Sequence, residues 1–257
     1  MTRRRFIADT WTGSTATLTG DQATHLARVL RAEPGQVYDV VAGGFLHRAE
    51  IASVSPSEVS FILHEELESD TALPLHLLLA VFKFDHMEWA IEKATELGVE
   101  RITPILARRT EKHLAQAAAK RAERWRRIVL EASKQSRRTS VPEIADPTAL
   151  KAILEQEQSP IRILLSETEQ ATTLAEALKK ISTATDDRVP HSSQPHREGW
   201  DEYPHLALAI GPEGGWTQEE MAIFTEHHWQ SVTLGPRILR AETAAIAAIA
   251  IASTHFA

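Results

Sequence analysis

The chain has 257 residues, no cysteine, and 28 Lys and Arg against 35 Asp and Glu, for a formal net charge of -7. That length allows one large or two modest domains with proper cores, and the lack of cysteine excludes disulfide scaffolds, thiolate metal sites and cysteine nucleophiles. The acidic balance argues against indiscriminate nucleic-acid binding, so any RNA contact must come from a local patch. The opening Met1-Thr-Arg-Arg-Arg5 leads into no apolar segment of the kind a secretory signal needs. The longest unbroken apolar run, Ala244 to Ala252, is too short to cross a bilayer. The expected setting is cytoplasmic, with no membrane partner.

The first part of the chain alternates short strand-like pieces with turn signals: Phe6-Ile7, Thr15 to Leu18, Val37 to Val41, Phe45 to Val54 and Glu58 to Leu63. Gly43-Gly44 reads as a hairpin turn between two of them. Asp21 to Leu30 is predicted as a helical insert capped by Asp21, with Ala23, Leu26, Ala27 and Leu30 at helix spacing. Strands so short and so regularly spaced suggest a small barrel. Arg4 and Arg5 belong to a basic arm that could grip phosphates beside it. His25, Arg28 and Arg31 lie three residues apart, along one face of the insert and away from its leucines. Glu65 to Asp70 is acidic and reads as a linker, making 1–70 one domain and 71–257 the other.

The second domain opens with a buried strand, Leu75 to Phe82. A helix from Met87 to Leu97 carries Ala90, Ile91, Ala94 and Leu97 on one side, and the strand Arg101 to Leu106 follows. This strand–helix–strand order is the signature of a parallel sheet. The helix predicted for 120–138 has two stripes. Ala122, Trp125, Val129, Ala132 and Ser136 face inward, while Lys120, Arg124, Arg127, Lys134 and Arg138 face outward, interrupted by Glu131. A charged face is ordinarily just solvated, but a one-sided cationic excess could equally contact an RNA backbone. Ile161 to Leu165 is another buried strand, with Ser166 and Glu167 at its carboxyl end and a helix over Leu174 to Ile181. Residues 182–204, rich in Ser, Pro, His and Asp, read as a surface insert. His191 and His196 within it lack ligand-like spacing, and no metal is assigned.

The last part is the most informative. Leu206 to Ile210 reads as a buried strand, followed by a loop containing Gly211, Gly214 and Gly215, where backbone can approach a ligand. Thr217 and Glu220 form a capping box that starts a helix. A strand over Ser231 to Leu234 leads into the loop Arg237 to Arg240, and a helix of small apolar residues spans Ala241 to Ser253. In open α/β sheets, ligands sit beyond strand carboxyl ends of this kind. No Lys-Ser or Lys-Thr follows the glycines, which disfavours a P-loop.

Gly211-Pro-Glu-Gly-Gly215, followed by Leu234-Gly-Pro-Arg-Ile-Leu-Arg-Ala-Glu-Thr-Ala244, closely resembles the last two motifs of the SPOUT methyltransferases. Within them it is similar to the branch that methylates N3 of a uridine in 16S, small-subunit, ribosomal RNA. Glu92 to Val99 with Pro104, Ala107 to Thr110, and Gln135 to Arg138 with Pro142 match the same pattern. The resemblance implies an α/β, trefoil-knotted SPOUT domain preceded by a small PUA-like β-barrel that contacts RNA. It implies S-adenosylmethionine as cofactor, held by Leu165, Ser166, Glu167, Gly211, Pro212, Glu213, Gly214, Gly215, Leu234, Gly235, Arg237, Ile238, Leu239, Arg240 and Thr243. It also implies a homodimer acting on 16S ribosomal RNA in the small ribosomal subunit. Arg28 and Arg31 join Arg4, Arg5, Arg124, Arg127, Lys134 and Arg138 as RNA contacts, and Arg109 and Arg138 become catalytic candidates.

Uridine N3 carries a proton and is a poor nucleophile until that proton leaves. Arg240 could polarise a uracil carbonyl, and Glu242 or Glu213 could accept the proton, although either glutamate could instead cap a helix. The rival reading is a non-catalytic RNA-binding protein of ribosome assembly. Such a protein would not need two cofactor loops.

Overall fold

The computed structural model describes residues 5–67, 72–136, 138–186 and 206–255, without the side chains of 182–186. Its contacts divide the chain into two units, Met1–Ala72 with Ser133–Val141, and Leu73–Ala132 with Pro142–Ala257. The sequence suggested one boundary at 70/71. Instead, a short later segment groups with the first unit.

The first unit contains β1 (Arg5–Ile7), β2 (Thr10–Trp11), β3 (Thr15–Thr19), the short α1 (Gly20–Thr24), β4 (Val37–Ala42), β5 (Phe45–Val54) and β6 (Glu58–Leu67). The sheet order is β1-β4-β5-β6-β3-β2. The single run 5–11 bonds to β4 through its first half and, through Asp9 N–H to Thr17 O, to β3 in its second. One stretch of chain thus supplies both ends of the sheet. Gly43 and Gly44, at φ of +62° and +84°, make the two-residue turn between β4 and β5 that a right-twisted hairpin requires. Phe6, Leu18, Leu26, Val40, Ile51, Val59 and Phe61 form the core.

Two expectations fail here. The insert helix starts at Gly20 after Thr19, with no side-chain cap, so Asp21 lies within its first turn. From His25 to Val29 it widens into a π-turn, with Leu30 N–H on His25 O at 3.0 Å, and Arg31 follows in left-handed backbone at φ +49°. The extra residue in that turn breaks the three-residue spacing, so His25, Arg28 and Arg31 do not share one helical face. Leu26 nevertheless stays buried, and His25 is exposed. The acidic linker also begins late. Glu65 and Glu66 belong to β6, which pairs Leu67 with Leu46; polar residues on an exposed strand end hid the alternation.

The second unit is built on β7 (Leu73–Ala80), β8 (Val99–Leu106), β9 (Glu143–Ile144), β10 (Thr148–Ala149), β11 (Ile161–Leu165), β12 (Leu206–Ile210) and β13 (Gln230–Val232). The order is β10-β8-β7-β12-β11-β13, with β9 also on β8, and every pairing is parallel. α2 (Phe84–Glu96), α3 (Lys112–Gln135), α4 (Leu150–Gln156), α5 (Leu174–Asp186), α6 (Gln218–Glu226) and α7 (Ala241–Ser253) connect and follow the strands. Leu75, Leu77 and Leu79 of β7 and Leu206, Leu208 and Ile210 of β12 pack into one cluster with Met87, Trp125, Ala245 and Ile249. Both faces of the sheet are covered, as parallel sheets require.

The helix expected over 120–138 begins instead at Lys112 and ends at Gln135. Ala122, Trp125, Val129 and Ala132 are buried as expected, but Ser136 falls beyond the helix and Ser133 takes the buried place. β9, β10 and α4 carry too few residues for a periodic signal and were not anticipated. α5 runs to Asp186, into the stretch read as an insert. His191 and His196 lie outside the described residues, as does Arg4.

Candidate active site at the carboxyl edge of the parallel sheet

Because every strand of this sheet points the same way, the loops after β7, β8, β11, β12 and β13 all emerge at one edge. β12, β11 and β13 are neighbours. Their following loops, 166–173, 211–217 and 233–240, contain all the residues expected to hold a cofactor except Leu165 and Thr243. Ser166 N–H donates to Val232 O at 3.0 Å and Thr233 N–H to Thr172 O at 2.9 Å, tying the first and third loops together. The Trp216 indole N–H donates to Leu165 O at 3.2 Å, tying the first to the second.

The glycine loop is a tight turn closed by Gly215 N–H on Pro212 O at 2.8 Å, with Gly215 at φ +69°. A Cβ built on Gly215 would lie 3.8 Å from the Glu167 carboxylate, so the two loops approach closely there. Glu213 and Glu167 are exposed at the surface of this cluster, and Pro212 is buried beneath it. The capping box is present. Thr217 Oγ1 accepts from Glu220 N–H at 3.2 Å, and Glu220 Oε2 accepts from Thr217 N–H at 2.8 Å.

Glu220 does more than the capping motif predicts. Its side chain is buried, and Oε1 accepts the backbone N–H of Arg108 at 2.7 Å. The Thr110 hydroxyl donates to Val81 O at 2.9 Å. The loop after β8 is thereby fastened on both sides, and the Arg109 guanidinium donates to Gly214 O within the same chain. Arg109 therefore joins the glycine loop.

The third loop holds Leu234 against the core, while Pro236, Arg237 and Ile238 project outward; Ile238 is 83% exposed. Leu239 is half-buried. Arg240 occupies the N-cap position of α7, where its carbonyl accepts Ala244 N–H at 2.8 Å. Its guanidinium is exposed and makes no ion pair among the described residues. A helix N-terminus repels a cation, so this position is electrostatically unfavourable for the helix itself. Glu242 and Thr243 lie in the first turn, Thr243 exposed and Glu242 buried. One Glu242 oxygen receives His86 Nδ1 at 2.9 Å. The helix expected from Met87 starts instead at Phe84, which places His86 in the first turn of α2, and nothing local in the sequence links it to residue 242.

The cationic stripe is partly consumed by structure. Arg124 Nε and Arg121 Nη1 both bond Glu88 Oε1, at 2.7 and 3.3 Å, and Arg126 bonds Glu123 and Asp146. Arg127 and Lys120 are exposed without an ion pair among the described residues. Lys134 is half-buried. Arg138 belongs to the other unit, where its N–H reaches Ser133 O at 3.0 Å and its Nη2 reaches Ser140 Oγ at 3.4 Å. Arg5 is half-buried in β1, opposite Asp39, and Arg28 and Arg31 are exposed. Among the described residues no group of three or more His, Cys, Asp or Glu could hold a metal ion. No described helix is long and apolar enough to cross a membrane.

A parallel sheet with three tied loops at its carboxyl edge is the arrangement in which α/β proteins bind small ligands, and comparison with known proteins gives it a class. Residues 69–253 match the family model described as RNA methyltransferase domain, and the chain belongs to that family. Over 93% of its length it is 31% identical to the ribosomal RNA small subunit methyltransferase E of Bacillus subtilis, covering 90% of that protein. It is 33% identical to the protein of the same name from Synechocystis over 92% of this chain and 72% of the relative. Within the family the chain thus belongs with the ribosomal RNA small subunit methyltransferases E. A crystal structure of such a protein from Neisseria gonorrhoeae, bound to S-adenosylmethionine, superposes with a TM-score of 0.75 at 27% identity, covering 97% of this chain and 96% of the other. A putative methyltransferase from Legionella pneumophila, in complex with the same cofactor, gives 0.74 at 28%, covering 99% and 98%.

Proposed function

We propose that this protein transfers a methyl group from S-adenosylmethionine to N3 of a uridine in 16S ribosomal RNA of the small subunit. The observation that carries the reading is the cross-tying of the loops after β11, β12 and β13 at one sheet edge, in a chain whose relatives are named ribosomal RNA small subunit methyltransferases.

The residues present fit the cofactor. Leu165 to Glu167, Gly211 to Gly215 and Leu234 to Leu239 offer mainly backbone amides and carbonyls, with the exposed Ile238 as an apolar surface for a flat base. The exposed carboxylates of Glu167 and Glu213 suit a ligand that carries positive charge. When bound, S-adenosylmethionine supplies an activated methyl group on a sulfonium, and the protein's part is orientation and electrostatics. Arg240, at the head of α7 and without an ion pair among the described residues, would stabilise the negative charge that spreads onto the uracil carbonyls as N3 loses its proton. Arg109, lying on Gly214, would steady the loop on its outer side.

RNA would be gripped by the exposed cations Arg127 and Lys120, with Arg5, Arg28, Arg31, Lys134 and Arg138 as further contacts. The first unit, whose sheet ends are supplied by one run of chain, is proposed to be the PUA-like barrel, and the second to carry the trefoil knot of the SPOUT class. The half-buried small-residue side of α7, Ala244, Ala247 and Ala250, suits close helix approach in a homodimer. The proposed setting is the cytoplasm.

Two measurements test the reading. Calorimetry should show S-adenosylmethionine binding to the isolated protein, and mass spectrometry should find N3-methyluridine in 16S RNA only from cells that carry the gene. A protein that binds RNA but not the cofactor would be an assembly factor instead.

A further inference from the structure

The glycines of the 211–215 loop suggest space kept open for a ligand, yet at two of them the space is taken by the protein's own side chains. A Cβ on Gly211 would stand 3.2 Å from both Cε2 and Nε1 of Trp216, and one on Gly214 would stand 3.3 Å from Cδ of Arg109. Carbon atoms prefer separations of about 3.5–4.0 Å, so a methyl group at residue 211 would push directly on the indole.

That indole is held from two directions. Its N–H reaches across to Leu165 O at 3.2 Å. Its ring meets Phe224 edge-on at 4.8 Å and 69°, and Phe224 in turn meets Trp229 at 5.3 Å and 72°. Phe224 is fully buried, so this aromatic row is part of the core on which α6 rests. A rigid plane with a single donor is well suited to fix a spacing, because its position is set by few torsions. Here the spacing lies between the last residue of β11, which precedes Ser166 and Glu167, and Gly211, which opens the loop after β12.

We infer that Trp216 is a positioning residue of the cofactor site: its indole sets the distance between the β11 and β12 loops, and Gly211 lacks a side chain in order to admit that indole rather than the ligand. The inference rests on the reading of these loops as the S-adenosylmethionine site. Trp216 acts through backbone it holds in place and need not touch the cofactor.

Trp216→Phe keeps an aromatic ring in the row while deleting the donor and part of the ring surface. Calorimetry with S-adenosylmethionine should give a Kd about three- to tenfold higher than wild type, the size expected for one lost hydrogen bond. At saturating cofactor kcat should stay within about twofold, because ground state and transition state lose the same support. Gly211→Ala should weaken cofactor binding in the wild-type background but add nothing once Trp216→Ala has removed the indole, a coupling that two independent sites would not show. If Trp216→Phe melts and binds as wild type does, the positioning role is overturned. It is equally overturned if Gly211→Ala costs the same in both backgrounds, because the methyl group would then obstruct the ligand itself. A wild-type protein that does not bind S-adenosylmethionine overturns the cofactor reading and this inference together, whereas wild-type binding with indifferent variants overturns this inference alone.

Discussion

Glu242, 3% exposed at the first turn of α7, accepts a hydrogen bond from His86 Nδ1 of α2 at 2.9 Å. Its other oxygen is buried with no hydrogen-bond partner among the described residues. A carboxylate so placed works as a pin between two helices, favoured by the α7 dipole and disfavoured by burial. Glu213 has the opposite surroundings: exposed on the glycine loop and unpaired among the described residues.

These contrasting surroundings separate the two proton acceptors left open by the sequence. Glu242→Ala should destabilise the fold by about 1–3 kcal/mol in urea denaturation, the cost of a lost charged hydrogen bond. Glu242→Gln should keep single-turnover methylation within about tenfold of wild type. Glu213→Gln should melt normally and lose about a hundredfold or more, the usual contribution of a general base. The reverse pattern would make the buried glutamate the acceptor.

Arg240 should show activity and stability moving apart. Arg240→Ala removes a cation from a helix N-terminus, which should stabilise the protein by about 0.3–1 kcal/mol. The same change should lower single-turnover methylation about a hundredfold, with cofactor affinity nearly unchanged and partial recovery at higher pH, where uridine ionises unaided. A rate loss fully explained by weaker cofactor binding would leave Arg240 a scaffold residue.

The arginines of α3 should divide by their partners. Arg127→Ala and Lys120→Ala should each weaken RNA binding and reduce the slope of log K against log salt by about 1. Arg124→Ala should change that slope less, because its guanidinium is already committed to Glu88 at 2.7 Å. Filter binding across a salt series distinguishes the variants, and equal slopes for all three would mean that the ion pair opens freely on RNA.

A buried pair distant in sequence should contribute to acid stability. Glu157 Oε2 meets His76 Nδ1 at 2.5 Å, and His76 Nε2 meets Thr103 Oγ1 at 2.7 Å. Burial alone would raise the Glu157 carboxyl, but the bonds from His76 and Ser159 outweigh it and lower the pKa from 4.5 to about 2. The carboxyl gives up its proton more readily in the folded state, so its stabilisation is complete above about pH 4.5 and drains away as pH falls toward 2. The full swing is roughly 3 kcal/mol. In thermal melts between pH 6 and pH 3, Glu157→Gln should start lower and lose less on acidification than wild type does. A variant with the wild-type pH slope would place the sensitivity elsewhere.

The sequence alone determined the elements whose signals are local. Phe45–Val54, Ile161–Leu165, Leu206–Ile210 and Ala241–Ser253 were legible as apolar stretches, the three strands also marked by a neighbouring glycine or proline. The Thr217–Glu220 capping box needed only four consecutive residues. The two loop motifs were also legible, because tight backbone turns spell their conformation in glycine and proline, and the resemblance to the family rested on them. Tertiary structure decided everything that joins residues far apart in the chain: the Trp216 indole reaching Leu165, Glu220 reaching Arg108, Arg109 lying on Gly214, and His86 meeting Glu242. It also decided which cations are free, since Glu88 claims Arg124 and Arg121 from another helix. Sequence periodicity records which face of an element is apolar, but not which element packs against it. A side chain's partner, and hence its charge environment and its role, exists only once the parallel sheet has brought five separate strand ends to one edge.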